Sequence, residues 1–267
     1  MKIPFTKCHA NGNDFILILS ENFPDIDAKE SIIQRLCNRH TGIGSDGLFI
    51  ISPSENNDFL LDYYNSDGSW ETFCANGSRG VSLFMYQSGK VGLKMKFETG
   101  AGVHWSEIKS DTMVVMSMRT PEYKSEELNP EGSAGFFVNS GAHHFVCESD
   151  NLEEEYVLNL GRRIRQHQLF QPKGINVNFY KLEDDGIVDI RTYEKGVEQL
   201  VLSCSSGSTA VVFHLSHSFG LSSPITTTSP GGKLQFTFDK NWEDSACEGP
   251  AEILYSGEFN YSPLDNA

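Results

Sequence analysis

Two cysteines begin matching segments in the two halves of the chain. The first segment reads Cys74-Ala75-Asn76-Gly77-Ser78-Arg79-Gly80-Val81, and the second, 130 residues later, reads Cys204-Ser205-Ser206-Gly207-Ser208-Thr209-Ala210-Val211. Both follow the pattern Cys-x-x-Gly-Ser-x-small-Val, and both lead into an apolar stretch of helical character. The pattern therefore predicts a helix that begins immediately after each cysteine.

A cysteine at a helix N-terminus is suited to acid–base chemistry on an amino acid. The first turn of a helix leaves backbone N–H groups unpaired and carries positive potential, which binds carboxylates and stabilises a thiolate. Two such helix ends facing each other would hold one substrate carboxylate and place one sulfur on each side of its α-carbon. We therefore expect Cys74 and Cys204 to act as a thiolate and thiol pair, one removing the α-proton and the other replacing it.

The remaining cysteines have no such setting, and the chain contains no Cys-x-x-Cys pair. In a chain of this size we expect them to be core thiols rather than disulfides, and they are Cys8, Cys37, Cys147 and Cys247. Three Cys/His pairs, such as Cys37 with His40, have the spacing of metal ligands. Each pair lacks a second pair of ligands, so no metal site is expected.

The spacing of the two segments nearly halves the chain, as expected of a duplicated domain. Short β-branched or aromatic runs predict strands at 15–19, 47–51, 113–116, 176–179 and 187–190, and a helix is predicted at about 28–39. The Ser/Thr/Pro/Gly-rich stretch 221–232 is predicted to be a loop. We expect an α+β fold of two lobes, 1–118 with Cys74 and 119–267 with Cys204, the last strand possibly returning to the first lobe.

Composition excludes several classes of protein. The formal net charge of −15 would repel phosphate backbones, so nucleic acid is not an expected partner. No apolar run approaches the length of a membrane span, and the N-terminus lacks the apolar core of a secretory signal, which predicts a cytoplasmic location. The oligomeric state is left open, with a homodimer as one possibility.

Several segments of the sequence, taken together, resemble the diaminopimelate epimerase family. His9-Ala10-Asn11-Gly12-Asn13-Asp14-Phe15 is similar to its HGxGNDF opening, and residues 39–47 are similar to RHTGIGADG. Residues 64–69 with 74–79 resemble YFNADGS and CGNGxR. In the second half, residues 176–179 and 191–198 match NVNF and RTYERGVE. The match covers nearly the whole chain in order, which makes the combination specific.

The resemblance implies two similar lobes, each a barrel-like, mostly antiparallel sheet around a central helix, with one active site and no cofactor. It implies epimerisation of an amino-acid α-carbon without pyridoxal phosphate, from LL- to meso-diaminopimelate. It assigns His144 to the vicinity of Cys74 and Glu194 to that of Cys204. It also assigns contacts with a small amino-acid substrate to Asn13, Asn65, Asn176, Lys195 and the backbones of Ala75, Asn76, Ser205 and Ser206.

The chain departs from the family pattern where the distal end of the substrate is recognised. The asparagine of the GNPH motif is Ala142 here, and the arginine of the ERG motif is Lys195, which loses the planar fork that grips a carboxylate with two bonds. One alternative is therefore a racemase of another amino acid on the same scaffold. Another is a non-catalytic amino-acid binder, because the family glycine after each cysteine is replaced, by Ala75 and by Ser205. Loss of Cys74 would not affect ligand binding by such a binder.

Overall fold

A computed structural model of the protein describes residues 1–24 and 29–262. It divides into two compact units, residues 1–115 with those from Pro250 onward, and Met116–Gly249. Among the described residues, no helix has the length and apolar character needed to cross a membrane. Residue 28, the predicted first residue of a helix, lies outside the described residues.

In its described residues, the first unit contains a sheet and two α-helices. Its elements are β1 (Lys2–Ala10), β2 (Asn13–Leu19), α1 (Lys29–Cys37), β3 (Gly47–Ser52), β4 (Phe59–Asn65), β5 (Trp70–Glu71), α2 (Ala75–Gln87), β6 (Lys94–Thr99), β7 (Gly102–Ile108), β8 (Met113–Ser117), which contains the point of division, and, out of sequence, β18 (Glu252–Asn260). The strands pair in the order β18–β1–β2–β3–β4–β6–β7, with β5 also on β4.

The second unit repeats this plan. Its elements are β9 (Glu122–Tyr123), β10 (Gly135–Asn139), β11 (His143–Glu148), α3 (Glu154–Gln166), β12 (Asn176–Leu182), β13 (Val188–Glu194), β14 (Gln199–Val201), α4 (Ser205–Phe219), β15 (Ile225–Ser229), β16 (Gly232–Phe238) and β17 (Ser245–Pro250). The pairing order is β9–β10–β11–β12–β13–β15–β16–β17, with β14 on β13.

The helices follow from the two parallel strand pairs in each unit. Strands β2–β3 and β4–β6 are parallel in the first unit, as are β11–β12 and β13–β15 in the second, and the other pairs in these orders are antiparallel. Because parallel strands need a long crossover connection, a helix lies in the chain between the members of each pair. The crossovers α2 and α4 are the central helices, and each contacts several strands of its own unit. The predicted α+β fold is confirmed.

The central helices are buried because most of their residues are apolar or small, although α2 also buries Arg79. Helix α4 is buried from Gly207 to Leu215 without interruption, and α2 from Ala75 to Leu83. The other two helices cover the outside of their units. Helix α3, for example, buries Val157, Leu160 and Ile164 in a core cluster with Phe145, Val177 and Phe179 of the sheet.

Two sequence interpretations need correction. The stretch 221–232, predicted to be a loop, contains β15, because Thr226, Thr227 and Thr228 are β-branched and pair with β16. Helix α3 was not predicted, although its buried residues recur at intervals of three and four. The five predicted strands and the helix α1 are confirmed.

Candidate active site

Each of the two motif cysteines is the residue immediately before a central helix, as predicted. Cys74 precedes α2 with φ −139° and ψ 109°, and Cys204 precedes α4 with φ −135° and ψ 105°. The two backbones therefore enter their helices in the same way, and the first-turn N–H groups follow each sulfur.

The motif cysteines differ from the other four in exposure. Cys74 and Cys204 are half-buried, whereas the others are buried, as predicted for core thiols, and are Cys8, Cys37, Cys147 and Cys247. Burial raises the pKa of Cys8 to about 12 and that of Cys37 to about 11. These core thiols stay protonated at neutral pH and are unsuited to act as bases.

The glycine three residues after each cysteine allows a strand to approach the helix. A Cβ atom on Gly77 would overlap the ring of Phe49 on β3, and one on Gly207 would overlap the side-chain oxygen of Asn178 on β12. Phe49 and Asn178 are each the third residue of their strand, so the repeat extends to the residues beneath the helix ends. Glycine here keeps the first helical turn seated on the sheet.

In the second unit, polar groups surround the sulfur of Cys204. Its Sγ accepts the backbone N–H of Gly207 at 3.4 Å and lies 3.5 Å from Oγ of Ser206. Ser206 Oγ lies in turn 3.0 Å from Nε2 of His144. The hydroxyl group of Ser206 thus connects His144 to Cys204 within the second unit. Its association with Cys74, which the resemblance implies, stays a prediction.

His144 is completely buried on β11 and is held from its other side. Its Nδ1 lies 3.0 Å from Nδ2 of Asn178, whose Oδ1 accepts the hydroxyl of Thr192 on β13 at 2.9 Å. Burial, with a smaller contribution from the charge of His143, lowers the pKa of His144 to about 3. The imidazole is therefore neutral at physiological pH and takes part through hydrogen bonds rather than charge.

This burial predicts acid sensitivity. Between the ordinary histidine pKa of about 6.5 and the folded value of about 3, the unfolded chain binds a proton that folded His144 does not. Stability should therefore fall as the pH drops below about 6.5, by about 2 kcal/mol at pH 5 from this residue. Urea unfolding at pH 7 and pH 5 measures the loss. It should be smaller in the His144→Asn variant, and an equal loss in both proteins would contradict the assignment.

Glu194 and Lys195 lie at a turn that Asn176 holds. Glu194 ends β13 and is half-buried, and its backbone oxygen accepts the N–H of Glu198 at 2.8 Å. The exposed Lys195 donates its backbone N–H to Oδ1 of Asn176 at 2.9 Å. The structure thus brings the predicted site residues Asn176 and Lys195 together at one edge of the second unit. Ala142 lies in the turn between β10 and β11.

In the first unit, Asn13 and Asn76 are joined directly. Asn76 Nδ2 donates to Asn13 Oδ1 at 3.4 Å, and Asn76 Oδ1 accepts from the guanidinium of Arg79 at 2.9 Å. The same guanidinium nitrogen reaches Oδ1 of Asn11 at 2.9 Å. Arg79 is completely buried and fixes the first turn of α2 against the β1–β2 turn.

A cluster of charged side chains orients Asn13 from the other side. Asn13 Nδ2 donates to Asp46 at 2.6 Å, and Arg39 bridges Asp46 and Asp14 at 2.7 Å each. Burial alone would raise the pKa of Asp14, but Arg39 and Lys7 reverse this and lower it to about 2. The side chain of Asp46 holds the amide of Asn13 with its oxygen toward Asn76.

Asn65, the remaining predicted substrate contact, ends β4. Its Oδ1 accepts the hydroxyl of Tyr63 at 2.9 Å, and its Nδ2 donates to Ser69 at 3.1 Å. These bonds fix the orientation of the amide in the β4–β5 turn.

Sequence reasoning missed the residues that hold the site in place. Arg39, Asp46, Arg79, Asn178 and Thr192 all lie within the motifs quoted above, but they served there only to establish the resemblance. Their positions in the motifs were the available signal. Some of their partners, however, lie far away in the sequence, such as Asn11 for Arg79 and His144 for Asn178.

A cavity of about 590 Å³ in the second unit lies elsewhere. It is lined by Tyr156, Tyr180, His214 and Phe219 among others, and none of the predicted site residues lines it. Within residues 1–24 and 29–262, no cluster of three or more His, Cys, Asp or Glu side chains could hold a metal ion.

Solved structures with the same architecture include a hydroxyproline epimerase from Agrobacterium vitis. It superposes with a TM-score of 0.74 over 96% of this chain and 92% of its own, at 14% identity. This likeness establishes the fold. The sequence matches described next place the chain in the class of cofactor-independent amino-acid isomerases.

Sequence comparison finds relatives of higher identity than this solved structure. The family model for diaminopimelate epimerase matches residues 5–124 and 136–254. A diaminopimelate epimerase of Aquifex aeolicus is 35% identical over 98% of this chain and 99% of its own length, and that of Archaeoglobus fulgidus is 35% identical over 99% of each. The chain belongs to the diaminopimelate epimerase family.

Proposed function

We propose that this chain interconverts LL- and meso-diaminopimelate by inverting one α-carbon, with Cys74 and Cys204 as the acid–base pair. The observation that carries the proposal is the matched placement of these two cysteines, each half-buried and directly before a central helix. Family membership over both halves of the chain supports the substrate.

The reaction needs one thiolate and one thiol. The thiolate takes the α-proton, the C–H electron pair moves into the substrate carboxylate, and the opposite thiol returns its own proton to the other face. The products are the inverted carbon, a thiol where the thiolate was, and a thiolate where the thiol was. Proton exchange with solvent restores the starting state, so the enzyme needs no cofactor and consumes no oxidant.

Stabilisation of the carbanion is the larger part of the task. An unshifted thiol is about 3% ionised at pH 7, so full ionisation of one sulfur gains only about 2 kcal/mol. General-base catalysis contributes about 10²–10⁴-fold. We assign the rest to the first-turn N–H groups of α2 and α4, from Ala75, Asn76, Ser205 and Ser206, which bind the carboxylate as its charge grows.

We assign the distal end of the substrate to the polar side chains Asn13, Asn65, Asn176 and Lys195. His144 and Glu194 are proposed to assist the two thiols, and the lysine and cell-wall precursor pathway is the proposed setting. A lysine in place of the family arginine forms a single-point contact with a carboxylate, so we expect a weaker hold on that end. A cytoplasmic location and a homodimer stay predictions.

A second candidate is a racemase of another amino acid, with the same scaffold. It is favoured by Ala142 and Lys195, because both replacements remove groups that recognise a distal amino acid. Such an enzyme would retain the same proton chemistry at the two cysteines.

A substrate panel in deuterated water distinguishes the two candidates. We expect deuterium at one α-carbon and chiral inversion with LL- and meso-diaminopimelate, and neither with L-alanine, L-proline, L-glutamate or L-lysine. Lys195→Arg should lower KM for diaminopimelate, since it restores the two-bond contact, while kcat stays within about twofold. Preferential turnover of one of these other amino acids over diaminopimelate would support the second candidate instead.

A further inference from the structure

Four side chains of the second unit form a continuous hydrogen-bonded path to Cys204. The path runs from Thr192 through Asn178 and His144 to Ser206, with successive distances of 2.9, 3.0 and 3.0 Å, and ends 3.5 Å from the sulfur. Some groups in such a path can only donate a hydrogen bond and others can only accept one. These groups determine where the hydrogen atoms of the others lie.

The orientation of the Asn178 amide is fixed by the backbone. One of its two polar atoms lies 3.3 Å from the carbonyl oxygen of Phe145. A carbonyl only accepts, so this atom is the nitrogen Nδ2, and the other is Oδ1, which accepts the hydroxyl of Thr192. The same nitrogen faces Nδ1 of His144, and it can only donate.

The tautomer of His144 follows. Since Nδ1 accepts a hydrogen bond from Asn178, it carries no proton. The ring is buried and neutral at physiological pH, so its single proton is on Nε2, which donates to Oγ of Ser206. With its oxygen accepting from His144, Ser206 directs its own hydrogen toward the sulfur of Cys204.

In the first unit, aromatic residues occupy the strand positions that correspond to His144, Asn178 and Thr192. In the strand registers, Phe15 pairs with the first residue of β3 as His144 pairs with the first residue of β12. Phe15, Phe49 and Tyr63 pack on one another there, with ring centroids 4.8 to 6.2 Å apart. The hydrogen-bonded path therefore belongs to the second unit and is not a general property of the fold.

We propose that Ser206, oriented by His144, Asn178 and Thr192, is a positioning residue that makes Cys204 the thiolate of the resting enzyme. The inference rests on the proposed function for its catalytic meaning. Ser206 and the N–H of Gly207 both donate to the sulfur, and donors to a charged acceptor favour its ionised form. Cys74 then starts as the thiol, and Cys204 is the base for the isomer that the resting protonation state can turn over. The opposite direction starts once proton exchange has transferred the charge to Cys74.

On the strands packed against α4, three titratable side chains carry no charge at neutral pH. Burial raises the pKa of Cys147 on β11 and of Tyr180 on β12, and it lowers the pKa of His143, so these three are neutral. The charged residues on the strands packed against α4 are exposed or half-buried, and they are Glu148, Lys181 and Lys233.

The test is alkylation of the substrate-free enzyme. Iodoacetamide is applied from pH 5.5 to 9.5, and peptide mass spectrometry gives a rate for each of the two sulfurs. We expect a lower pH midpoint for Cys204 than for Cys74. Ser206→Ala should raise the Cys204 midpoint by at least about one unit, a tenfold lower rate at low pH, with the Cys74 midpoint unchanged. Ser206→Thr, which keeps a hydroxyl, should restore it.

Ser208→Ala, two residues further along α4, is the matched control and should leave both midpoints unchanged. A lower midpoint for Cys74 in the wild type, or a Cys204 midpoint that Ser206→Ala does not move, would overturn the inference. Because the measurement uses no substrate, it is independent of the epimerase assignment. An enzyme that fails the substrate panel but shows these midpoints would retain the hydrogen-bonded path and lose the proposed function.

Discussion

Replacing either Cys74 or Cys204 with serine is expected to lower α-proton exchange on diaminopimelate by about 10²–10⁴-fold. The hydroxyl of serine ionises far less readily than a thiol, so the variant lacks either the base or the matched acid at that face. Folding should be unaffected, because both side chains are half-buried and the substitution conserves shape. Exchange is followed by NMR at the α-carbon, with circular dichroism to establish folding.

A core cysteine provides the control. Cys37, at the end of α1, is buried and accepts the hydroxyl of Ser45 at 3.2 Å. Cys37→Ala should lower stability and leave the exchange rate per folded molecule within about twofold. If a serine variant at Cys74 or Cys204 kept near wild-type exchange, the assignment of that sulfur would be wrong.

Replacing Arg79 with alanine is expected to lower the free energy of unfolding by about 2–5 kcal/mol. The substitution leaves a cavity under α2 and removes a donor from the buried amides of Asn11 and Asn76. Activity should fall as well, since Asn76 lies in the first turn after Cys74 and also bonds Asn13. Urea denaturation measures the first effect, and KM measures the second.

The matched control is an arginine on the surface. Arg163 on α3 is exposed and pairs with Glu131 at 3.1 Å. Exposed ion pairs contribute about 0–1 kcal/mol, so Arg163→Ala should change stability little and KM not at all. Equal losses from the two substitutions would show that Arg79 has no special structural role.

The helix starts were predictable because their determinants are local. A cysteine followed by small residues and then an apolar run specifies where each central helix begins, and both helices start one residue after the cysteine. The duplication was also visible from the same pattern. Helix α3 was harder to predict, because its start is marked only by the acidic run Glu153-Glu154-Glu155, which is also typical of a solvated surface. These residues are indeed exposed, but they also begin a helix, where acidic residues are favourable.

The support of the site was not predictable in the same way. The contact of Asn178 with His144 depends on β11 and β12 lying side by side in one register, and that of Arg39 with Asp14 depends on a loop after α1 returning to β2. Such partners are 25 to 34 residues apart in the chain. The fold, and in particular the sheet register, determines which of the many polar residues meet. The motifs alone therefore do not predict the hydrogen-bond partners.

The most direct test of the two-cysteine account is the isotope content of substrate and product in the first few per cent of reaction in deuterated water. The reaction starts from unlabelled LL-diaminopimelate. The account predicts that meso-diaminopimelate forms with deuterium at the inverted α-carbon while the recovered LL-isomer retains its hydrogen, because the proton removed by one sulfur is not the one returned by the other. Product that forms with the original hydrogen would mean that a single group moves the proton between faces, and it would contradict the account.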